Sequence, residues 1–181
     1  MEIPDWDPLH RLKRGDAEAM NAWVATYTDD LFRFLRQLTR QRETAEDLTQ
    51  QTFVRALKGL PRFVGACSMR TWLHRIAYRE YLSWRKKHRL LAPLTPWMRA
   101  PQKDIESVDE ADRLMRALDQ LPSALREAFL MFEVQDLGIE EIALITQAPV
   151  GTVKSRLHHA RQKLRTVLEP QFAEVCYELP G

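Results

Sequence analysis

The chain has 181 residues, 27 Lys or Arg against 25 Asp or Glu for a net charge of +2, 45% hydrophobic residues and two cysteines, a size that suits two small domains with modest cores. Cys67 and Cys176 lie far apart and form no C-x-x-C or Cys/His cluster, which argues against a disulfide framework or a zinc site and fits a reducing cytoplasm. No apolar run approaches the roughly 18 residues of a membrane span, and the opening Met-Glu-Ile-Pro-Asp-Trp-Asp-Pro lacks a signal-peptide pattern, so a cytoplasmic protein without membrane insertion is expected.

Glycines are few and no strand-like alternation persists, whereas helical periodicity recurs throughout, so the predicted fold class is all-α. Helices are expected over residues 15–26, 29–40, 44–60, 69–89, 109–119, 122–134, 139–146 and 149–168. The helix opening at Thr44 has an acid, Asp47, three residues after the expected cap. Its apolar arc comprises Ala45, Leu48, Phe53, Ala56 and Leu60, and the far side presents Asp47, Gln50, Gln51, Val54 and Lys58. A glycine-containing loop, Phe63 to Met69, follows.

The next helix interleaves Trp72, His74, Tyr78, Tyr81 and Trp84 with Arg70, Arg75, Arg79, Arg85, Lys86, Lys87 and Arg89. Residues 62–99 carry nine Lys or Arg and one acid, Glu80. Such a mixture suits single-stranded nucleic acid, with bases stacking on aromatic faces for about 1–3 kcal/mol each while cations track the backbone. A bundle core is the competing place for Trp72 and Ile76, four apart, and it is the favoured one for Trp72. Pro93, Pro96 and Pro101 then make an extended linker. Residues 103–141 are acidic, with eleven acids against four cations, a block that suits either a solvated face or a brake on stray DNA binding.

The run from Ile139 to Leu164 spells two short helices and a tight turn, a helix-turn-helix. Gly138 precedes the first helix, with Glu140 and Glu141 in its first turn, and Pro149 stands where a first-turn proline is tolerated. From there Val150, Val153, Leu157, Ala160, Leu164 and Leu168 form one apolar stripe. The opposite face collects Thr152, Ser155, His158, His159 and Gln162, flanked by Lys154, Arg156 and Arg165, a surface suited to a DNA groove.

Two separated motifs resemble the extracytoplasmic-function (ECF) sigma factors of the bacterial sigma-70 family, over about residues 10 to 168. Ala45 to Leu57 with Phe63 to Ala77 is similar to sigma region 2; Leu121 to Phe129, Glu140 to Ala143 and Val150 to Arg161 are similar to region 4. The resemblance implies region 2 over 10–90, a linker over 91–108 running towards the polymerase active site, and region 4 over 109–170. It implies that Asp47, Gln50, Gln51, Val54 and Arg55 grip core RNA polymerase. Met69, Arg70, Arg75, Arg79, Arg85, Lys86 and Lys87 would hold the minus-ten element, the loop from Gly65 to Met69 and the helix from Arg70 to Lys87 together matching the part that captures its flipped bases. Thr152, Lys154, Ser155, Arg156 and His159 would read the minus-thirty-five duplex.

The implied partners are core RNA polymerase, promoter DNA and an anti-sigma factor; no cofactor or metal is expected, and no enzymatic activity. Gln51 replaces the family's usual Glu, Arg79 and Ser83 the usual Asn and Asp, and Met69 an aromatic residue. Gln147 stands where Gly is usual, so a left-handed backbone there would cost about 1 kcal/mol. A stand-alone helix-turn-helix regulator is the alternative; it would bind its duplex unaided, and it leaves the mixed aromatic and basic helix unexplained. A small helical enzyme lacks support, because His74, His158 and His159 have no nucleophile or metal-spaced acids nearby in sequence.

Overall fold

The structure, a computed structural model, describes residues 8–91 and 116–168. The expected linker, most of the expected helix 109–119 and the segment after Leu168 lie outside the described residues. Within them every regular element is helical. The helices are α1 (Pro8–Lys13), α2 (Ala17–Thr39), α3 (Arg42–Gly59), α4 (Met69–Leu91), α5 (Ser123–Glu133), α6 (Ile139–Thr146) and α7 (Val150–Leu168), with a 3-10 turn at Leu60–Arg62 and a helical piece at residues 116–120. They fall into two compact units, α1 to α4 forming the first and α5 and α7 packing together in the second.

Helix α2 is one continuous helix where two were expected. The Thr-Tyr-Thr-Asp-Asp stretch from Thr26 to Asp30 reads as a break because its short polar side chains compete for backbone groups. Here they do not. Thr26 and Thr28 donate their hydroxyls four residues back, to the Ala22 and Val24 carbonyls at 2.7 Å, and the Asp30 carboxylate is engaged by α4 instead. Asp16 starts the helix by accepting from the Ala19 amide at 3.0 Å, and Arg40 ends it in a left-handed conformation.

Helix α3 begins two residues before the expected cap. Thr44 lies inside the first turn, its hydroxyl donating to the Gln41 side chain at 2.8 Å. The expected apolar arc from Ala45 to Leu60 is buried where α3 packs on α2 and α4, whose Leu31, Phe34, Leu35, Leu38, Leu73, Ala77 and Tyr81 are buried as well. Each such Leu or Phe contributes about 1.5–3 kcal/mol relative to exposure. Thr49 and Thr52 join this core because their hydroxyls donate to the Ala45 and Leu48 carbonyls at 2.7 Å.

In the second unit Val153, Leu157, Ala160 and Leu164 of α7, Leu130 and Met131 of α5 and Ile142 of α6 are buried, whereas Val150, expected on the α7 stripe, is exposed. Gly138 caps α6, and its amide donates to the Glu141 carboxylate at 3.0 Å. Pro149 immediately precedes α7, and its carbonyl accepts from the Thr152 and Val153 amides. The turn between the two helices places Gln147 in the left-handed region, φ 56° and ψ 36°.

Candidate nucleic-acid interface

Three surfaces carry the residues singled out by sequence. The first is the outer face of α3, where Asp47, Gln50, Gln51, Val54, Arg55 and Lys58 are all exposed. Val54 is 53% exposed, an apolar centre in a polar ring. Glu80 of α4 borders this face; it is buried and forms an ion pair with Arg55. Sequence reading marked Glu80 only as the lone acid of a basic stretch.

The second surface is α4, which Ser68 starts by accepting from the Thr71 amide at 3.0 Å. Arg75, Arg79 and Lys86 recur at helical spacing on one stripe; Arg79, Lys86 and Lys87 are exposed, while Arg75 and Arg85 are half-buried. The Arg85 guanidinium lies over the Tyr81 ring, 5.4 Å from its centroid. One expectation needs correction. His74, Tyr78 and Tyr81 are buried in the bundle, so they offer no face to an unpaired base; only Trp72 and Trp84 are half-exposed, Trp72 packing on Phe63 at 4.8 Å. Arg70, expected among the DNA-facing cations, donates two hydrogen bonds to Asp30 at 2.8 and 3.2 Å. Arg70 shares a stripe with buried Leu73, Ala77 and Tyr81, but the acid it meets lies on another helix.

Burial pushes the Asp30 carboxyl up, but the Arg70 hydrogen bond and the charges of His74, Arg70 and Arg33 together hold it below its ordinary value. Met69 does not project freely either. It is half-buried and lines an apolar groove with Leu9, Leu12, Trp23 and Tyr27.

The third surface is the outer face of α7. Lys154, Ser155, His158, His159 and Gln162 are exposed, Thr152 and Arg156 half-exposed. The rings of His158 and His159 stand 5.8 Å apart. Arg161 turns away from this group. It pairs with Glu133 of α5 at 2.8 Å and covers the Phe132 ring at 5.3 Å, so one cation of the basic run fastens two helices.

Regular elements that are all helices among the described residues, including a cationic helix and a helix-turn-helix, make up a DNA-binding transcription protein. Its sequence matches Sigma-70 region 2 over residues 23–90 and Sigma-70, region 4 over residues 111–164. It therefore belongs to the sigma-70 family, among the ECF RNA polymerase sigma factors. The ECF RNA polymerase sigma factor SigE of Mycolicibacterium smegmatis is 33% identical over 174 residues, spanning 90% of this chain and 67% of that protein. The RNA polymerase sigma-H factor of Pseudomonas aeruginosa is 28% identical over 194 residues, spanning 94% and 96%. The sigma factor RpoE of Bartonella quintana, solved with the anti-sigma factor NepR, shares the fold with a TM-score of 0.69 at 24% identity, over 84% of this chain and 98% of that one. The region 2 match covers the basic helix that a stand-alone regulator left unexplained.

Proposed function

We propose that this chain acts as an ECF sigma factor that joins core RNA polymerase and directs initiation at particular promoters. In this reading residues 10–90 form the polymerase- and minus-ten-binding domain, 91–108 a linker, and 109–170 the minus-thirty-five-binding domain. Asp47, Gln50, Gln51, Val54 and Arg55 meet polymerase, with Val54 supplying the apolar area and the ring around it the register. Arg75, Arg79, Arg85, Lys86 and Lys87 follow the phosphates of the melted minus-ten strand, Met69 and the loop before it take its unstacked bases, and Arg70 shapes that end of α4 through Asp30. Thr152, Lys154, Ser155, Arg156 and His159 enter the minus-thirty-five groove.

The observation that carries this reading is the pairing, in one chain, of a region 2 unit with an exposed cationic helix and a region 4 unit with an outward-facing basic recognition helix. Affinity comes from neutralised phosphates, and sequence choice from the few side chains that reach base edges. The chain works in the cytoplasm, without cofactor, metal or catalysis of its own; polymerase makes the RNA. An anti-sigma factor restrains it, a proposal supported by the likeness to a sigma factor captured with NepR.

The test is transcription of fragmented host DNA by core polymerase with and without the purified chain, with start sites mapped. New, defined start sites are expected only when the chain is present. Tight duplex binding by the chain alone, with no effect on polymerase, would end the proposal.

A further inference from the structure

Glu80 is the only acid between residues 62 and 99, and it is 7% exposed. A buried carboxylate is costly unless it is paired, and its partner is the Arg55 guanidinium on α3. The pair occupies a junction. One groove beside it is lined by Asp47, Gln50, Gln51 and Val54, a second by Ser83, Trp84 and Lys87, a third by Arg62, Trp72 and Arg79; Arg55 and Glu80 line all three. The Arg55 side chain is 64% exposed, so its guanidinium remains open to a partner while Glu80 fixes its position.

We infer that Glu80 is a positioning residue for polymerase binding: from α4 it holds the Arg55 guanidinium in the orientation that the α3 face presents to core polymerase. A free arginine at this site would lose rotamer entropy on docking. One already tethered by a buried carboxylate loses less, which is how a residue outside the contact face contributes to affinity. The same bridge ties the register of α3 to that of α4, the helix bearing the basic stripe.

This inference rests on the α3 face being the polymerase contact, and the experiment separates the two. Core polymerase affinity of the full chain is measured for Val54→Asp, Glu80→Gln, Arg55→Gln and the double variant Glu80→Gln/Arg55→Gln, each with its thermal unfolding midpoint. Val54→Asp tests the face alone; unchanged affinity there removes the face and this inference with it. With the face upheld, Glu80→Gln is expected to weaken binding by about three- to tenfold, and the double variant to bind no more weakly than Arg55→Gln. Full affinity of Glu80→Gln, or losses that multiply in the double variant, would overturn the role assigned to Glu80. Should Glu80→Gln unfold, Glu80→Asp keeps the charge but shortens its reach; it is expected to weaken binding in the wild-type background and to have no effect when Arg55 is Gln, and any other pattern overturns the inference.

Discussion

Asp30 shows what one acid can decide. It accepts two bonds from Arg70, 40 positions away, and stands 3.7 Å from the imidazole of buried His74. Because the folded-state pKa lies below the unfolded value of about 3.9, the stabilisation is complete above that pH and is lost as the pH falls through the folded-state value. Asp30→Asn is expected to cost about 1–3 kcal/mol at neutral pH. The gap between wild type and variant in urea unfolding should hold down to about pH 5 and close below about pH 4; a gap that stays constant would exclude this carboxylate as the titrating group. Gln147 is the opposite case, a residue whose conformation costs energy. Its φ of 56° suits glycine, and Gln147→Gly is expected to stabilise the second unit by about 1 kcal/mol, read as a raised melting temperature.

At the scale of the element, two basic helices distribute their cations differently from what composition suggests. Helix α7 has five Lys or Arg between Lys154 and Arg165, and Arg161 among them is bound to Glu133 and Phe132. Lys154→Ala is therefore expected to lower the salt slope of promoter binding by about one unit. Arg161→Ala should leave that slope nearly unchanged and cost no more than about 1 kcal/mol of stability, since its ion pair is exposed. Equal slope changes for the two would place Arg161 on the DNA. Helix α4 divides its face likewise, with Arg75, Arg79 and Lys86 on one stripe and Arg70 on the buried one. The apolar arcs of α3 and α7 were legible because they depend only on the helical repeat; the fates of Arg70 and Arg161 were not, because each depends on an acid in another helix.

For the whole molecule, the proposed function divides the labour of promoter recognition between the two units. Lys86, in the first, is expected to act on every promoter alike: Lys86→Ala should weaken holoenzyme binding uniformly and reduce the salt slope by about one unit. Arg156→Ala, in the second, should reorder promoters, with about 1–3 kcal/mol lost wherever its base contact is missing. Lys86 and Arg156 stand on different units and are proposed to meet different promoter elements, so their free-energy losses should add to within about 0.5 kcal/mol. Run-off transcription from a panel of promoters over a salt series measures all three quantities, and a uniform loss for Arg156→Ala would reassign it to the phosphates.

Helical class, the helix-turn-helix with its glycine-started first helix, the inward stripe of α7 and the arc of α3 were determined by the sequence alone. Each arises from forces acting within a few residues: backbone hydrogen bonding, capping and the periodic placement of apolar groups. Only the tertiary structure decided that α2 runs unbroken through its threonines, that Tyr78 and Tyr81 belong to the core, and that Arg55, Arg70 and Arg161 are each held by a distant acid. An aromatic ring gains by packing in a core or against an unpaired base, and a guanidinium by meeting a carboxylate or a phosphate. Which of these it meets is fixed by whatever helix packs beside it, and that neighbour is remote in the chain.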